Sequence, residues 1–239
     1  MKKSLLILLL SIYFNVNAQD EKAIYIKYKT VKAVSENVQE LEPEFKKGLK
    51  LYVDAVEEIE FEMLANDSIA VFMKKEKLDL ENQNPLSKII GNGIYYTNIK
   101  EKEKIKHVDM LGEKFNVLYP YDEYKWEITS ETKMISGFRC YKAKTYKETY
   151  SKMRDKTIIT NPEVWFTPEI PLSYGPFGLI GLPGLILEAT LNGKVYYYAT
   201  TINLNYKEDV SSKLKKPYKG KFVTEKEMED IQIKTFTVN

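Results

Sequence analysis

The sequence contains a single cysteine and a single histidine in 239 residues. A disulfide joins two cysteines, so Cys140 cannot form one within the chain, and the folded state depends on its core even in an oxidising compartment. His107 cannot by itself supply a multi-histidine metal site, and it is expected to be exposed or held by a structural hydrogen bond. The sequence therefore predicts no metal site and no cofactor.

The short motifs that carry common enzyme chemistry are also absent. There is no Gly-x-Ser-x-Gly elbow, His-Glu-x-x-His pair, phosphate-binding glycine loop or EF-hand loop. Acidic residues are plentiful, but two catalytic carboxylates need only meet in space, so the sequence cannot identify a pair. Cys140 lies on a predicted strand, and we expect a buried small side chain rather than a nucleophile. We name no catalytic residue; a periplasmic hydrolase that uses carboxylates or Cys140 is the alternative hypothesis.

An apolar run over residues 5–14 follows the basic pair Lys2 and Lys3 and precedes Ala18. This pattern predicts a signal peptide over residues 1–18, because ten residues fall short of the roughly 20 that a spanning helix needs. Residues 19–239 are then one exported domain, periplasmic or secreted, with no membrane span.

Removal of the signal leaves 34 basic and 34 acidic side chains. A chain of balanced and interspersed charge has no electrostatic footprint for nucleic acid or an anionic membrane surface. We therefore expect neither of them as a partner.

Alternation of apolar and polar residues is the main structural signal. Ile59, Phe61 and Met63 interleave with glutamates, a period-two pattern that favours a strand over a helix. Turn residues at 66–67 and 192–193 predict tight hairpins. The predicted strands cover residues 24–30, 59–63, 69–73, 94–99, 105–110, 115–118, 124–128, 138–146, 185–190 and 195–202.

Helical signals are few. Thr224 followed by Glu227 forms a capping box that predicts a helix through residue 231. Residues 35–50 are ambiguous, and the charged stretches 100–106 and 213–219 are read as solvated turns. The predicted fold class is a β-rich α+β domain, with a long curved antiparallel sheet resembling a half-barrel and one or few helices.

Four blocks appear in a fixed order along the chain: Trp126, residues 135–143, residues 165–171 and the glycine-rich apolar run at 175–186. In these blocks the chain resembles the GLPGLI family of exported Bacteroidetes proteins, whose biochemical function is unassigned. The resemblance supplies no catalytic residue, and residues 144–164 depart from the pattern. Members of that family are often encoded beside TonB-dependent outer-membrane receptors, which implies an outer-membrane protein as the partner.

The aromatic residues and the 175–186 run together suggest a non-catalytic binding or assembly module. Its aromatic sheet face would hold an apolar ligand or a segment of a partner, because tyrosine and tryptophan combine an apolar body with a polar group. The predicted contact residues are Trp126, Trp165, Phe166, Phe177, Leu179, Leu182, Tyr196 and Tyr198.

Three residues of the same run are expected to have a structural role. Gly181 and Gly184 should tolerate no side chain if the run is a fixed apolar turn, whereas Pro183 should tolerate substitution better. Ser68, in the sequence Asp-Ser-Ile, matches a short O-glycosylation pattern of exported Bacteroidetes proteins, although Asp-Ser in a hairpin turn needs no such explanation.

Overall fold

The computed structural model describes residues 23–32, 43–57, 59–76, 86–87 and 90–237. The predicted signal peptide, residues 1–18, lies outside the described residues. Residues 35–42 of the ambiguous stretch also lie outside the described residues. Residues 43–50 of that stretch form the start of the first helix.

About half of the described chain lies in β-strands, in agreement with the β-rich prediction. The strands are β1 Ala23–Lys32, β2 Glu60–Ala65, β3 Ile69–Lys74, β4 Ile94–Asn98, β5 Glu103–Met110, β6 Glu113–Tyr119, β7 Glu127–Ile135, β8 Phe138–Lys144, β9 Lys147–Ser151, β10 Lys156–Thr160, β11 Glu163–Thr167, β12 Leu185–Thr190, β13 Val195–Tyr206 and β14 Lys221–Thr224.

Twelve of these strands form one long curved sheet in the order β14-β6-β5-β4-β3-β2-β1-β13-β12-β11-β8-β7. Strands β9 and β10 form a separate two-stranded sheet. Strand β14 pairs in parallel with β6, and the other described pairs are antiparallel. The predicted β-rich α+β class with a long antiparallel sheet is confirmed.

Two α-helices accompany the sheet in the described chain, α1 Pro43–Glu57 and α2 Glu225–Thr237. The capping box predicted for α2 is present: the Glu227 amide donates to Thr224 Oγ1 at 3.2 Å, and the Thr224 amide donates to the Glu227 carboxylate at 2.8 Å. Met228 of α2 packs on Phe115 and Val117 of β6, so the helix covers one face near the β14 edge.

The sheet is covered on both faces around β2 and β3. On one face Ile26, Met63 and Phe72, which are paired across β1, β2 and β3, lie in the main core. On the other face Leu64 and Val71 pack under Val210 and Leu214 of the connection at 207–219. Residues that alternate along one strand therefore enter two different cores, which explains why several strands are apolar at nearly every position.

Two local predictions were wrong. The strand predicted over 124–128 begins only at Glu127, because Glu123 turns inward to Lys104 and Trp126 donates a hydrogen bond outside the sheet ladder. Residues 103–106 belong to β5 rather than to a solvated turn, and Lys104 is buried. Periodicity also missed β9, β10, β11 and β14, of which β9 and β10 fall in the stretch that departs from the GLPGLI pattern.

Candidate functional site

Residues 175–186, called here the glycine-rich segment, fill the space over the main core. The Phe177 ring lies 4.6 Å from the Tyr197 ring, 4.9 Å from Phe72 and 5.3 Å from Tyr95, measured between centroids. Phe177 adopts a left-handed φ of 58°, which is rare for a bulky residue and is held by this close packing. The segment is therefore a plug in an aromatic cluster.

Hydrogen bonds attach the plug to the surrounding elements. Tyr28 Oη donates to the Ile186 carbonyl at 2.7 Å, and Trp126 Nε1 donates to the Ile180 carbonyl at 2.7 Å. The Leu185 amide donates to the Ile170 carbonyl at 3.0 Å. Because buried polar groups are costly to leave unpaired, these bonds fix the position of the segment.

The two glycines of the Gly-Leu-Pro-Gly run meet different requirements. Gly181 has a φ of +95°, which other residues adopt only with strain. Gly184 has no such angle, but a Cβ added there would lie 2.1 Å from the carbonyl oxygen of Thr167. Pro183 between them is exposed.

The predicted contact residues fall into two groups. Phe166, Leu179 and Leu182 are at most 2% exposed and belong to a core cluster, against which the partly buried Trp126 packs. A partner could reach these residues, or Phe177, only if the glycine-rich segment moved away. Trp165, Tyr196 and Tyr198 are instead half-buried. Strand pairing places them on the side of the sheet opposite to Tyr197, although Trp165 also packs against the main core cluster.

Those three aromatic residues lie in two adjacent rows of directly paired positions across β8, β11, β12, β13 and β1. Directly opposed residues of neighbouring strands project to the same face. We call this surface the open aromatic face. The first row is Lys142, Trp165, Glu188, Tyr198 and Lys29, and the second is Lys144, Glu163, Thr190, Tyr196 and Val31.

Charges on the open aromatic face are paired. Lys133 Nζ lies 2.7 Å from Glu188 Oε2, and Lys142 Nζ lies 3.1 Å from Glu163 Oε2. The same two ammonium groups lie 4.3 Å and 5.8 Å from the centre of the Trp165 ring, within cation–π range. The face thus combines half-buried aromatic side chains with two ion pairs and an excess of lysines, since Lys29 and Lys144 lie in the same rows.

A buried charged cluster lies beside the glycine-rich segment. Glu123 pairs with Lys104 through one carboxylate oxygen and with Lys147 Nζ through the other, at 2.6 Å. The side chains of Lys104 and Glu123 are 4% and 5% exposed. Burial lowers the pKa of Lys104, although the neighbouring Glu123 carboxylate acts in the opposite direction.

Sequence reasoning missed this cluster because Lys104 and Glu123 are separated by 19 positions and each lies among exposed charges. A Cβ placed on Gly178 would lie 3.5 Å from Lys104 Cε, so the glycine-rich segment packs on the cluster. Burial also raises the pKa of Tyr119 and Tyr124 nearby. Lys104, Glu123 and Lys147 each have an oppositely charged partner, which is typical of a structural ion-pair network.

The two other candidates for chemistry have structural environments. Cys140 is fully buried, its Sγ lies 3.7 Å from the Phe138 carbonyl oxygen, and burial raises the pKa of its thiol to about 11. The thiol is therefore protonated and unreactive at neutral pH. His107 Nδ1 lies 2.7 Å from Asn116 Oδ1, and the Asn116 amide donates to the Lys219 carbonyl, in agreement with the predicted structural hydrogen bond.

The remaining features of the described chain add no reactive centre. No group of three or more His, Cys, Asp or Glu side chains among these residues could hold a metal ion. A depression of about 510 Å³ lies at β2–β4, away from the predicted contact residues, and is lined by Glu62, Met73, Lys74, Lys75, Glu76, Asn92, Gly93, Ile94 and Lys213. None of the helices in the described ranges is long and apolar enough to cross a membrane.

Ser68 lies in the turn between β2 and β3. Its amide donates to Asn66 Oδ1 at 2.9 Å, and its carbonyl accepts from the Ile99 amide at 2.9 Å. The side chain is half-buried. Its glycosylation stays a prediction.

Comparison with known proteins gives one family and one recurring fold. Residues 62–230 match the family described as the N-glycanase peptide, N-terminal domain. Structures of PNGF-II in the C2 and P21 space groups resemble the chain with TM-scores of 0.55 and 0.54 at 16% and 17% identity, covering 87% and 88% of it. The chain spans about a third of the length of PNGF-II, since the matches cover 32% and 33% of those structures. No curated protein sequence matches it.

Proposed function

The chain belongs to the family of N-glycanase N-terminal domains, and we propose that it is a non-catalytic, exported binding domain that holds its partner on the open aromatic face. The family's name points to proteins that act on glycans, but the chain corresponds to only about a third of PNGF-II. The proposal is therefore one of binding, and the domain acts in the periplasm or after secretion.

The observation that supports a binding role is the alignment of Trp165, Tyr196 and Tyr198 on one sheet face. Aromatic side chains are enriched at recognition surfaces, because they supply a large contact area with little conformational freedom to lose. Rows of paired positions on five consecutive strands hold these rings at fixed spacings. A surface that is already ordered loses less entropy on binding.

The position of Phe177 favours a partner on this face over an apolar ligand inside the domain. A ligand behind the glycine-rich segment would have to displace a ring that packs against four others. An outer-membrane protein segment, the partner implied by the GLPGLI resemblance, would need no such displacement at the open aromatic face.

The hydrolase alternative receives less support. A cysteine nucleophile reacts as its thiolate, and the pKa of the Cys140 thiol is raised to about 11. Glu123, the most buried carboxylate of the ion-paired cluster, is held by two lysines rather than facing a cleft.

A capture experiment tests the proposal. Immobilised protein is incubated with the periplasmic and secreted fractions of the source cells, and bound material is quantified by mass spectrometry. Tyr198→Ala should reduce the captured partner at least tenfold, because the ring contributes contact area directly. Trp165→Ala should do the same if it stays folded.

Tyr218→Ala is the matched control. Tyr218 is 78% exposed and lies beside β14 at the far edge of the sheet, so its loss should leave capture unchanged. Equal capture by wild type, Tyr198→Ala and Tyr218→Ala would refute the assignment of the partner to this face.

A further inference from the structure

The two-stranded sheet of β9 and β10 is an arm that continues the β8–β11 pair beyond the main sheet. The register of β8 and β11, which ends with Lys144 opposite Glu163, continues without a shift into β9 and β10. Between the two pairs, the Thr145 amide donates to the Pro162 carbonyl at 3.0 Å. We call residues 145–162 the β-arm. We propose that two copies of the chain form a dimer in which the free edge of β10 pairs antiparallel with β10 of the second copy.

The apolar side chains of the β-arm lack a core of their own. No residue of β9 or β10 belongs to, or packs against, a hydrophobic core cluster of the described chain. Tyr146, Tyr150 and Ile159 are 69%, 59% and 58% exposed. A two-stranded ribbon of this kind is at most marginally stable alone, and a third strand stabilises it.

The edge of β10 is the one left open. Helix α2 lies along β9, because Ser151 Oγ donates to Glu229 Oε1 at 2.8 Å and Lys147 Nζ lies 3.3 Å from Glu225 Oε1. Among the described strands, β10 pairs only with β9. Residues 157–160 of β10 read Thr-Ile-Ile-Thr, without a charge, a proline or a bulge. These are the features by which edge strands avoid pairing with another chain, so this edge is unprotected.

The hydrogen-bond pattern determines which backbone groups of β10 point outward. In an antiparallel pair, hydrogen-bonded positions alternate with positions that are not hydrogen-bonded. The pair of Thr145 and Pro162 is hydrogen-bonded, so the pair that contains Ile158, four positions along the same register, is hydrogen-bonded as well. The amide and carbonyl groups of Thr157 and Ile159 therefore point away from β9 and are available to a further strand.

Pairing of β10 with itself about Ile158 uses these groups. Ile158 is the central residue of the strand, so this register pairs the strand along its whole length. Thr157 of each copy then exchanges both hydrogen bonds with Ile159 of the other. The two Ile158 side chains meet on one face of the combined sheet, and the two Ile159 side chains are diagonal neighbours on the other face. Lys156 lies opposite Thr160, so no like charges are opposed.

Sedimentation velocity of the full mature chain over a concentration series measures the equilibrium between monomer and dimer. We expect a reversible dimer with a dissociation constant of about 10–100 μM, because the interface is small. Thr157→Pro removes an outward amide and no bond between β9 and β10. It should weaken the dimer about tenfold or more, since the symmetric interface loses one hydrogen bond from each copy.

Glu148→Pro is the matched control. Glu148 lies opposite Ile159 on β9, so its amide also points outward, but from the other edge of the β-arm. The dimer should be unchanged in this variant. Circular dichroism melting of both proline variants shows whether each has kept its fold.

A cysteine at position 158 tests the register without depending on a loss of binding. In a pair that is not hydrogen-bonded, opposed Cα atoms lie about 4.5 Å apart, within the range of a disulfide. Ile158→Cys should therefore give a covalent dimer on non-reducing gels after treatment with oxidised glutathione. Thr160→Cys should not, because its two copies would lie about 14 Å apart. The natural Cys140 is buried and does not compete.

Several outcomes would overturn the dimer. Wild type that stays monomeric over the concentration series would do so, as would a dimer that persists in Thr157→Pro or is lost equally in Glu148→Pro. Efficient cross-linking of Thr160→Cys but not of Ile158→Cys would refute the register. A monomeric wild type whose captured partner is lost in Thr157→Pro would instead make the β10 edge a docking site for a strand of that partner.

Discussion

Gly184 and Gly181 lie three residues apart, yet a side chain is excluded at each for a different reason. At Gly181 the backbone angle is the constraint, since φ is +95° and the nearest atoms, in the Trp126 ring, are 3.5 Å from an added Cβ. At Gly184 space is the constraint, because the added Cβ would overlap the backbone of Thr167. Backbone cannot move aside as a flexible side chain can, so the second constraint is the stricter.

Alanine substitutions in the glycine-rich segment should therefore rank in severity. Gly181→Ala should lower the free energy of unfolding by about 1 kcal/mol, the usual penalty for a side chain at positive φ. Gly184→Ala should cost about 3 kcal/mol or more, because the overlap forces strands β11 and β12 apart. Pro183→Ala, at an exposed position, should change stability least.

Denaturant unfolding of the three variants under identical conditions measures this ranking. Each 1 kcal/mol corresponds to about 2–4 °C in melting temperature for a chain of this length. A Gly184→Ala protein as stable as Pro183→Ala would show that β11 and β12 do not approach each other as closely as the structure places them.

At the scale of elements, the ion-paired cluster joins four parts of the chain that have little else in common. Lys104 lies on β5, Glu123 on the connection before β7, Lys147 on β9 and Glu225 at the start of α2. Lys147 Nζ reaches both carboxylates, at 2.6 Å from Glu123 and 3.3 Å from Glu225. The cluster thereby attaches the small β9–β10 sheet and α2 to the main sheet.

Glu123→Gln should lower the free energy of unfolding by about 3–5 kcal/mol, because it leaves the buried Lys104 without its counter-charge. The deficit should shrink as the pH rises into the alkaline range. Burial already lowers the pKa of Lys104 below its unfolded value, so the unfolded chain binds more protons and stability rises with pH between those two values. The Glu123 carboxylate opposes the lowering of the Lys104 pKa. Its loss in Glu123→Gln therefore widens the pH range over which stability rises.

Glu113→Gln provides the comparison for Glu123→Gln. Glu113 pairs with Lys221 at 3.1 Å, but both side chains are more than 60% exposed, and such pairs contribute little. Urea unfolding from pH 7 to pH 10 distinguishes the two variants. Equal stabilities at pH 7 would contradict the structural role given to the cluster.

On the scale of the whole molecule, the glycine-rich segment connects parts of the sheet that are far apart in its strand order. Phe177 contacts Tyr95 on β4 and Tyr197 on β13, with three strands lying between these two in the sheet. Leu179 and Leu182 enter a second cluster with Phe166 on β11. The curved sheet is thus closed on this side by its own chain.

Leu182→Asp should therefore unfold the protein or lower its melting temperature by about 10 °C or more, because it buries an unpaired charge. The matched control is Leu111→Asp, at a turn position that is 77% exposed. Differential scanning calorimetry compares the two. A Leu182→Asp variant that melts like wild type but no longer captures the partner would instead make the segment the docking surface.

Alternation by itself determined most of the sheet. Ile59, Phe61 and Met63 occupy every second position, and a strand is the element that places such residues on one face. Alternation along β13 likewise places Tyr196 and Tyr198 on the side opposite to Tyr197, and Phe177 packs on the Tyr197 side. The capping box of α2 could also be predicted from the sequence, because Thr224 and Glu227 lie only three residues apart.

Only the tertiary structure decided which chemistry the domain presents. Lys104 and Glu123 meet through a fold of the chain that no local pattern encodes, and Trp165 joins Tyr198 because the strand order places one strand between them. Burial likewise separated Leu179 and Leu182 from the aromatic residues with which they had been grouped. Periodicity reports the face of each residue on its own strand, whereas a site depends on which strands become neighbours, and that is set by the packing of the whole chain.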